Sequence, residues 1–166
     1  MLSQIVSNTP PWVWALLLAL IWLGARQRVA RVASRGRVVR IALSMAALSL
    51  YGTISALGAH PDVLACWSAA AGLVGYRVLR TPLASGTRYL AAKRAFDLPG
   101  SWAPLALIVG LFAVKYSAAV LIGMQAPVVR AALFAPALGL VYGAFSGAFL
   151  GRAGRLICLA RQSRTD

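Results

Sequence analysis

The sequence predicts an all-α membrane protein: five transmembrane helices in a bundle, N-terminus out and C-terminus in, with a short cytoplasmic β-hairpin between helices 3 and 4. Three observations predict it. Of 166 residues, 60% are hydrophobic and only 12% charged, against about 45–50% and about 25% in a soluble domain. The apolar residues gather into five runs that approach or meet the ~20 residues a helical span needs. The basic residues fall between those runs on one face only. A soluble protein this apolar would expose large greasy patches and aggregate.

The runs cover about 11–25, 38–58, 63–78, 102–124 and 128–150, all within one integral membrane domain, 1–166. The first is the shortest, and the uncharged stretch Ser3–Asn8 can extend it outward. It is not read as a cleaved leader, because it lacks a basic n-region and is followed by Arg26 and Arg28. That charge order anchors a span with its N-terminus outside.

Arg26, Arg28, Arg31, Arg35, Arg37 and Arg40 lie between the first and second runs. Arg77, Arg80, Arg88, Lys93 and Arg94 lie between the third and fourth, and Arg152, Arg155, Arg161 and Arg164 follow the fifth. With five spans these segments share one side, and the positive-inside rule makes that side cytoplasmic. Only Arg130 falls opposite, and Lys115 lies inside a run. Trp12 and Trp14 are then placed at the outer interface, Trp22 and Trp102 near the inner one, where indoles prefer to sit. Trp67 reads as a volume filler.

The outer links, residues 59–62 and 125–127, are short and call for antiparallel neighbours. The inner loop 79–101 is longer. Within it Thr87–Ala91 and Arg94–Leu98 have β character around Ala92-Lys93, giving a hairpin over about 87–98. A two-stranded hairpin is marginal alone, so it is expected against the membrane surface or the other basic loop. Pro99-Gly100 ends it, and Ser101 can cap the fourth span, with Pro104 tolerated in the first turn.

The fifth run carries Gly139, Gly143, Gly147 and Gly151 at intervals of four, a helix face without side chains. Such small-xxx-small faces let backbones approach closely in lipid. Packing against another span of the same chain, homo-oligomerisation and a ligand groove are the alternatives. Ser44, Ser49, Tyr51, Gly52 and Ser55 in the second run, with Ser68, Gly72 and Gly75 in the third, suit helix contacts.

The net charge of +14 invites a nucleic-acid reading, but the arginines sit where a membrane protein keeps its cytoplasmic charges, so no nucleic-acid partner is expected. His60 with Asp62, Asp97 and Asp166 are too few for a metal cluster or a carboxylate pair. Cys66 and Cys158 have no metal-ligand spacing. No cofactor and no enzymatic role are expected.

Lys115 remains, an ammonium inside LIVGLFAVKYSAAVLIGM (107–124). Nine residues before Met124, it lies about 13–14 Å from the outer end. Counting along the other spans brings Ser49, Tyr51 and Tyr142 to its level, with Tyr116 beside it and Ser146 one turn beyond Tyr142. These six residues form a candidate intramembrane polar site. Three accounts stand open: Lys115 snorkels to the outer headgroups, donates to Tyr142, Ser49, Tyr51 or a carbonyl, or lines a cavity for an anion or anionic headgroup.

GSWAPLALIVGLFAVKYSAAVLIGMQAP (100–127) and VYGAFSGAFLGRAGR (141–155) resemble a family of uncharacterised small bacterial membrane proteins. ALSLYGTISALGA (47–59) and TPPWVWALLLALIWLGARQ (9–27) also match its pattern. The resemblance implies a five-span protein of the bacterial inner (cytoplasmic) membrane and supplies no activity. Two functions are weighed. One is a structural or accessory membrane component whose basic inner face meets anionic lipid or a membrane partner, with homo-oligomerisation as an option. The other is a small transporter or channel subunit handling an anion or lipid through Lys115.

Overall fold

The computed structural model describes residues 11–25, 31–83, 86–90 and 95–162. Ser3–Asn8, Arg26, Arg28, Lys93, Arg94 and Arg164, and the turn expected at Ala92-Lys93, lie outside the described residues. The elements in order are α1 (Pro11–Ala25), β1 (Arg31–Ser34), α2 (Arg35–Leu57), α3 (Pro61–Arg80), β2 (Arg88–Leu90), β3 (Ala95–Leu98), α4 (Ala103–Gly123), a 3₁₀ turn (Pro127–Arg130) and α5 (Phe134–Gln162). Among them α2, α3, α4 and α5 are long and apolar enough to cross a membrane. The 15 residues of α1 span about 22 Å at the helical rise.

Local chemistry explains where the helices start and stop. Ser34 ends β1 in extended backbone and caps α2, its Oγ accepting from the Arg37 N–H at 3.4 Å. Gly58 closes α2 at φ +80°, a conformation that costs glycine little. Three residues later Pro61 opens α3, with Asp62 in its first turn and Arg77 and Arg80 in its last, as the helix dipole favours. Ser101 Oγ accepts from the Ala103 N–H at 3.2 Å at the start of α4, as its spacing before Pro104 suggests.

Two expectations need correction. The fifth helix does not run over 128–150. A 3₁₀ turn at Pro127–Arg130 precedes it, and α5 extends from Phe134 to Gln162. Pro136 is tolerated because a first-turn residue needs no N–H donor. Beyond the fifth apolar run, GRAGRLICLARQ (151–162) holds no proline, and Gly151 and Gly154 are carried inside the helix, so it continues where hydrophobicity fades. The second correction concerns the hairpin. Its strands form at 88–90 and 95–98, but a third strand from the first basic loop joins them in the order β1-β3-β2, all antiparallel. Ala33, Phe96 and Tyr89 make one cross-strand row. Phe96 is fully buried, and its ring centroid lies 5.3 Å from that of Tyr89. The added strand gives the pair the apolar face that a lone hairpin lacks.

The described residues form two compact units. In the first, α1 packs on α4. Gly24, near the end of α1, lies against Leu105, near the start of α4, so this pair is antiparallel. The second holds α2, α3, α5 and the sheet, with α5 contacting both other helices. Here α5 lies backbone to backbone on α3. A Cβ placed on Gly139 would come within 2.8 Å of the Val63 carbonyl oxygen, and one on Gly151 within 2.7 Å of that of Gly75. At Gly143 and Gly147 it would collide with the carbonyls of Trp67 and Ala71. Partners climb together on both helices, from 139 against 63 to 151 against 75, so α3 and α5 run parallel.

Gly143→Ala is expected to destabilise the protein by about 1–3 kcal/mol, the usual cost of overpacking. Gly72→Ala is the control: nothing lies within 4 Å of its Cβ, and the gain in helix propensity is up to about 1 kcal/mol. Thermal melting of the detergent-solubilised variants checks both. A Gly143→Ala protein as stable as wild type would overturn the close contact.

Candidate functional site

Three helices of the second unit meet at a buried polar node. Ser49 on α2 is 2% exposed, and its hydroxyl donates to the Tyr142 carbonyl of α5 at 3.2 Å. The same Oγ accepts from the Trp67 indole N–H of α3 at 3.4 Å. Ser146 Oγ donates to the Tyr142 carbonyl at 3.0 Å, and Thr53 Oγ1 to the Ser49 carbonyl at 2.8 Å. Thr53 and Ser146 are also fully buried. These four bonds join hydroxyls, an indole N–H and backbone carbonyls, neutral groups suited to cross-linking helices in a low-dielectric setting.

Of the six residues expected to share one polar site, Ser49, Tyr142 and Ser146 come together within the second unit, Tyr142 through its backbone oxygen. Tyr51 does not join them: it is 70% exposed. Two residues along a helix is about 200° of rotation, so depth alone did not place it with Ser49. Lys115 and Tyr116 belong to the first unit. Lys115 is half-buried on α4, about 12 Å from the helix end at Gly123. The Tyr116 ring stacks on Phe112 one turn back, centroids 6.2 Å apart and 7° from parallel.

Two participants were missed. Trp67, expected only to fill volume, is the donor that brings α3 into the node. Its place in the series 63, 67, 71, 75, which faces the glycines of α5, is the signal that it points inward. Thr53, one turn after Ser49, is the second. Its hydroxyl makes the i−4 back-bond common for threonine inside helices.

One end of the same unit is strongly basic. Arg31 lies in β1, Arg35, Arg37 and Arg40 in the first turns of α2, and Arg77 and Arg80 in the last turn of α3. Arg88 lies in β2, and Arg152, Arg155 and Arg161 in the second half of α5. Arg155 ties this end together, its Nη1 donating to the carbonyls of Thr81 and Pro82 at 3.0 and 2.9 Å, just past the end of α3. Among the described residues the only carboxylate there is Asp97, paired in register with Arg88. Arg80 lies over the Tyr76 ring, 5.1 Å from its centroid, within cation–π range. No group of His, Cys, Asp or Glu that could hold a metal occurs among the described residues.

The profile of a family of unknown function, DUF6622, matches residues 1–165, and the chain belongs to that family. Neither the curated proteins nor the solved structures contain a match.

Ser49→Ala removes one acceptor and one donor and strands the Trp67 indole N–H. It is expected to cost about 0.5–2 kcal/mol, the range for interhelical bonds in membranes up to an unsatisfied donor. Ser146→Ala loses only a back-bond within α5 and should cost less. Comparing the two melting shifts checks the node; a larger loss at Ser146 would contradict it.

Proposed function

We propose that this DUF6622 protein is a five-span component of the bacterial inner membrane, N-terminus out and C-terminus in, with a structural or accessory role. The observation that carries the reading is the collection of arginines at one end of the α2–α3–α5 unit. Positive charge concentrates on the cytoplasmic side of membrane proteins, so this end is read as cytoplasmic. The parallel contact of α3 and α5 supports it too. Two parallel spans require an odd number of crossings between them, and α4 is the apolar helix in that interval. The α1–α4 pair, antiparallel, fits a first span running inward and a fourth running outward. The 15-residue α1, though shorter than the ~30 Å hydrocarbon core, is read as the remaining span.

The glycine face of α5 serves as a packing seam within the chain. α3 already occupies it, so a second copy reaching that face has to displace α3. Any homo-oligomer is accordingly expected to use other surfaces. No nucleic-acid partner, cofactor or catalytic role enters this reading. A second function, handling of an anion or lipid through Lys115, is favoured by the position of that ammonium near the middle of α4. Intramembrane charges are costly and tend to be functional.

Reporter fusions check the topology. A periplasmic reporter is expected to be active at the N-terminus and at the links around residues 59 and 125, and inactive at the C-terminus. Both termini on one side would remove α1 as a span. Lys115→Met separates the two functions. An accessory protein should keep expression and cellular phenotype, with equal or higher melting temperature. Loss of phenotype at normal expression would favour the Lys115 reading.

A further inference from the structure

We infer that the arginine-bearing end of the α2–α3–α5 unit is a binding surface for anionic phospholipid headgroups. The inference rests on the membrane reading above and names the partner of that face. Setting topology needs only an excess of positive charge near the helix ends. The surface here has a more specific make-up.

Among the described residues its arginines far outnumber its acids. Arg37, Arg40, Arg77, Arg80 and Arg88 are exposed. Against them and their half-buried neighbours the described residues set Asp97, whose register partner is Arg88. Arg35 and Arg37 sit in the first turn of α2, which holds no acid. Cations there oppose the helix dipole, and an external anion relieves that repulsion.

The surface is also amphipathic at close range, and this selects the class of anion. Along the end of α3, exposed Leu73, Tyr76 and Leu79 alternate with exposed Arg77 and Arg80. On α2, exposed Arg40 adjoins exposed Ile41 and Leu43. The Arg80–Tyr76 contact, at 5.1 Å, holds a guanidinium at the apolar boundary. A soluble acidic protein or a nucleic acid satisfies the arginines but makes no contact with the leucines beside them. A phospholipid matches both, its phosphodiester against the guanidinium forks and its acyl chains along the leucines. The sheet steadies the arrangement by tying the strand that leads into α2 to the loop that follows α3.

The full-length protein, reconstituted into vesicles of phosphatidylcholine mixed with phosphatidylglycerol, then extracted and weighed by native mass spectrometry, tests this. Phosphatidylglycerol is expected to be retained about tenfold over phosphatidylcholine, as roughly 1 kcal/mol per cation at an anionic surface allows. Retention should fall as salt rises. The double variant Arg77→Gln with Arg80→Gln should lose most of the preference, and Arg37→Gln with Arg40→Gln provides the same reading if the first pair fails to fold. Equal retention of both lipids overturns the inference, as does a preference unchanged in a folded double variant. Capture of an acidic protein without lipid preference also overturns it. Failure to insert into either vesicle would instead sink the membrane reading.

Discussion

The direct approach of the α3 and α5 backbones is the constraint from which most of the second unit follows. In lipid no hydrophobic force draws two helices together, so affinity has to come from packing and hydrogen bonds. Residues 139, 143, 147 and 151 supply the packing by having no side chain where Val63, Trp67, Ala71 and Gly75 pass. Once the two helices lie parallel at that distance, Trp67 is brought to the level of Tyr142. A short hydroxyl on α2 can then bridge them. Ser49 fills that position, and a larger residue would hold α2 away.

The same contact sets the far end of the unit. With α3 and α5 side by side, Arg155 reaches the carbonyls of Thr81 and Pro82, just past the end of α3. An α5 guanidinium thus pins the segment by which the chain leaves α3. Close packing at the glycines and capping at the arginine are thus two parts of one alignment. A register shift of one turn along the seam would lose both.

Much of this was legible in the sequence, for identifiable reasons. The places of the four long apolar helices follow from run length, because hydropathy along a helix is a one-dimensional signal. The glycine face was visible as a spacing of four, which repeats one side of a helix. What escaped needed information of another dimension. Tyr51 shares a level with Ser49 but faces away, since counting residues measures depth and not direction. The strand at Arg31–Ser34 was hidden because four residues in a basic loop carry no alternation to mark them. It is a strand only because β3 is available to pair with it. The end of α5 was misplaced because apolarity was used to bound a helix, and backbone propensity continued after apolarity stopped.

The pairing of β1 with β3, and of α3 with α5, also sets a timetable. Residues 31–34 leave the ribosome about 60 positions before their partner strand, and Gly75 precedes Gly151 by 76. At synthesis rates of about 5–20 residues per second, α3 waits on the order of ten seconds for the helix that covers its inner face. During that interval Trp67 and the bare backbone around Gly75 have lipid or insertion machinery for company. Maturation of this unit is therefore governed by α5: the helix made after the other two is the one that completes them both.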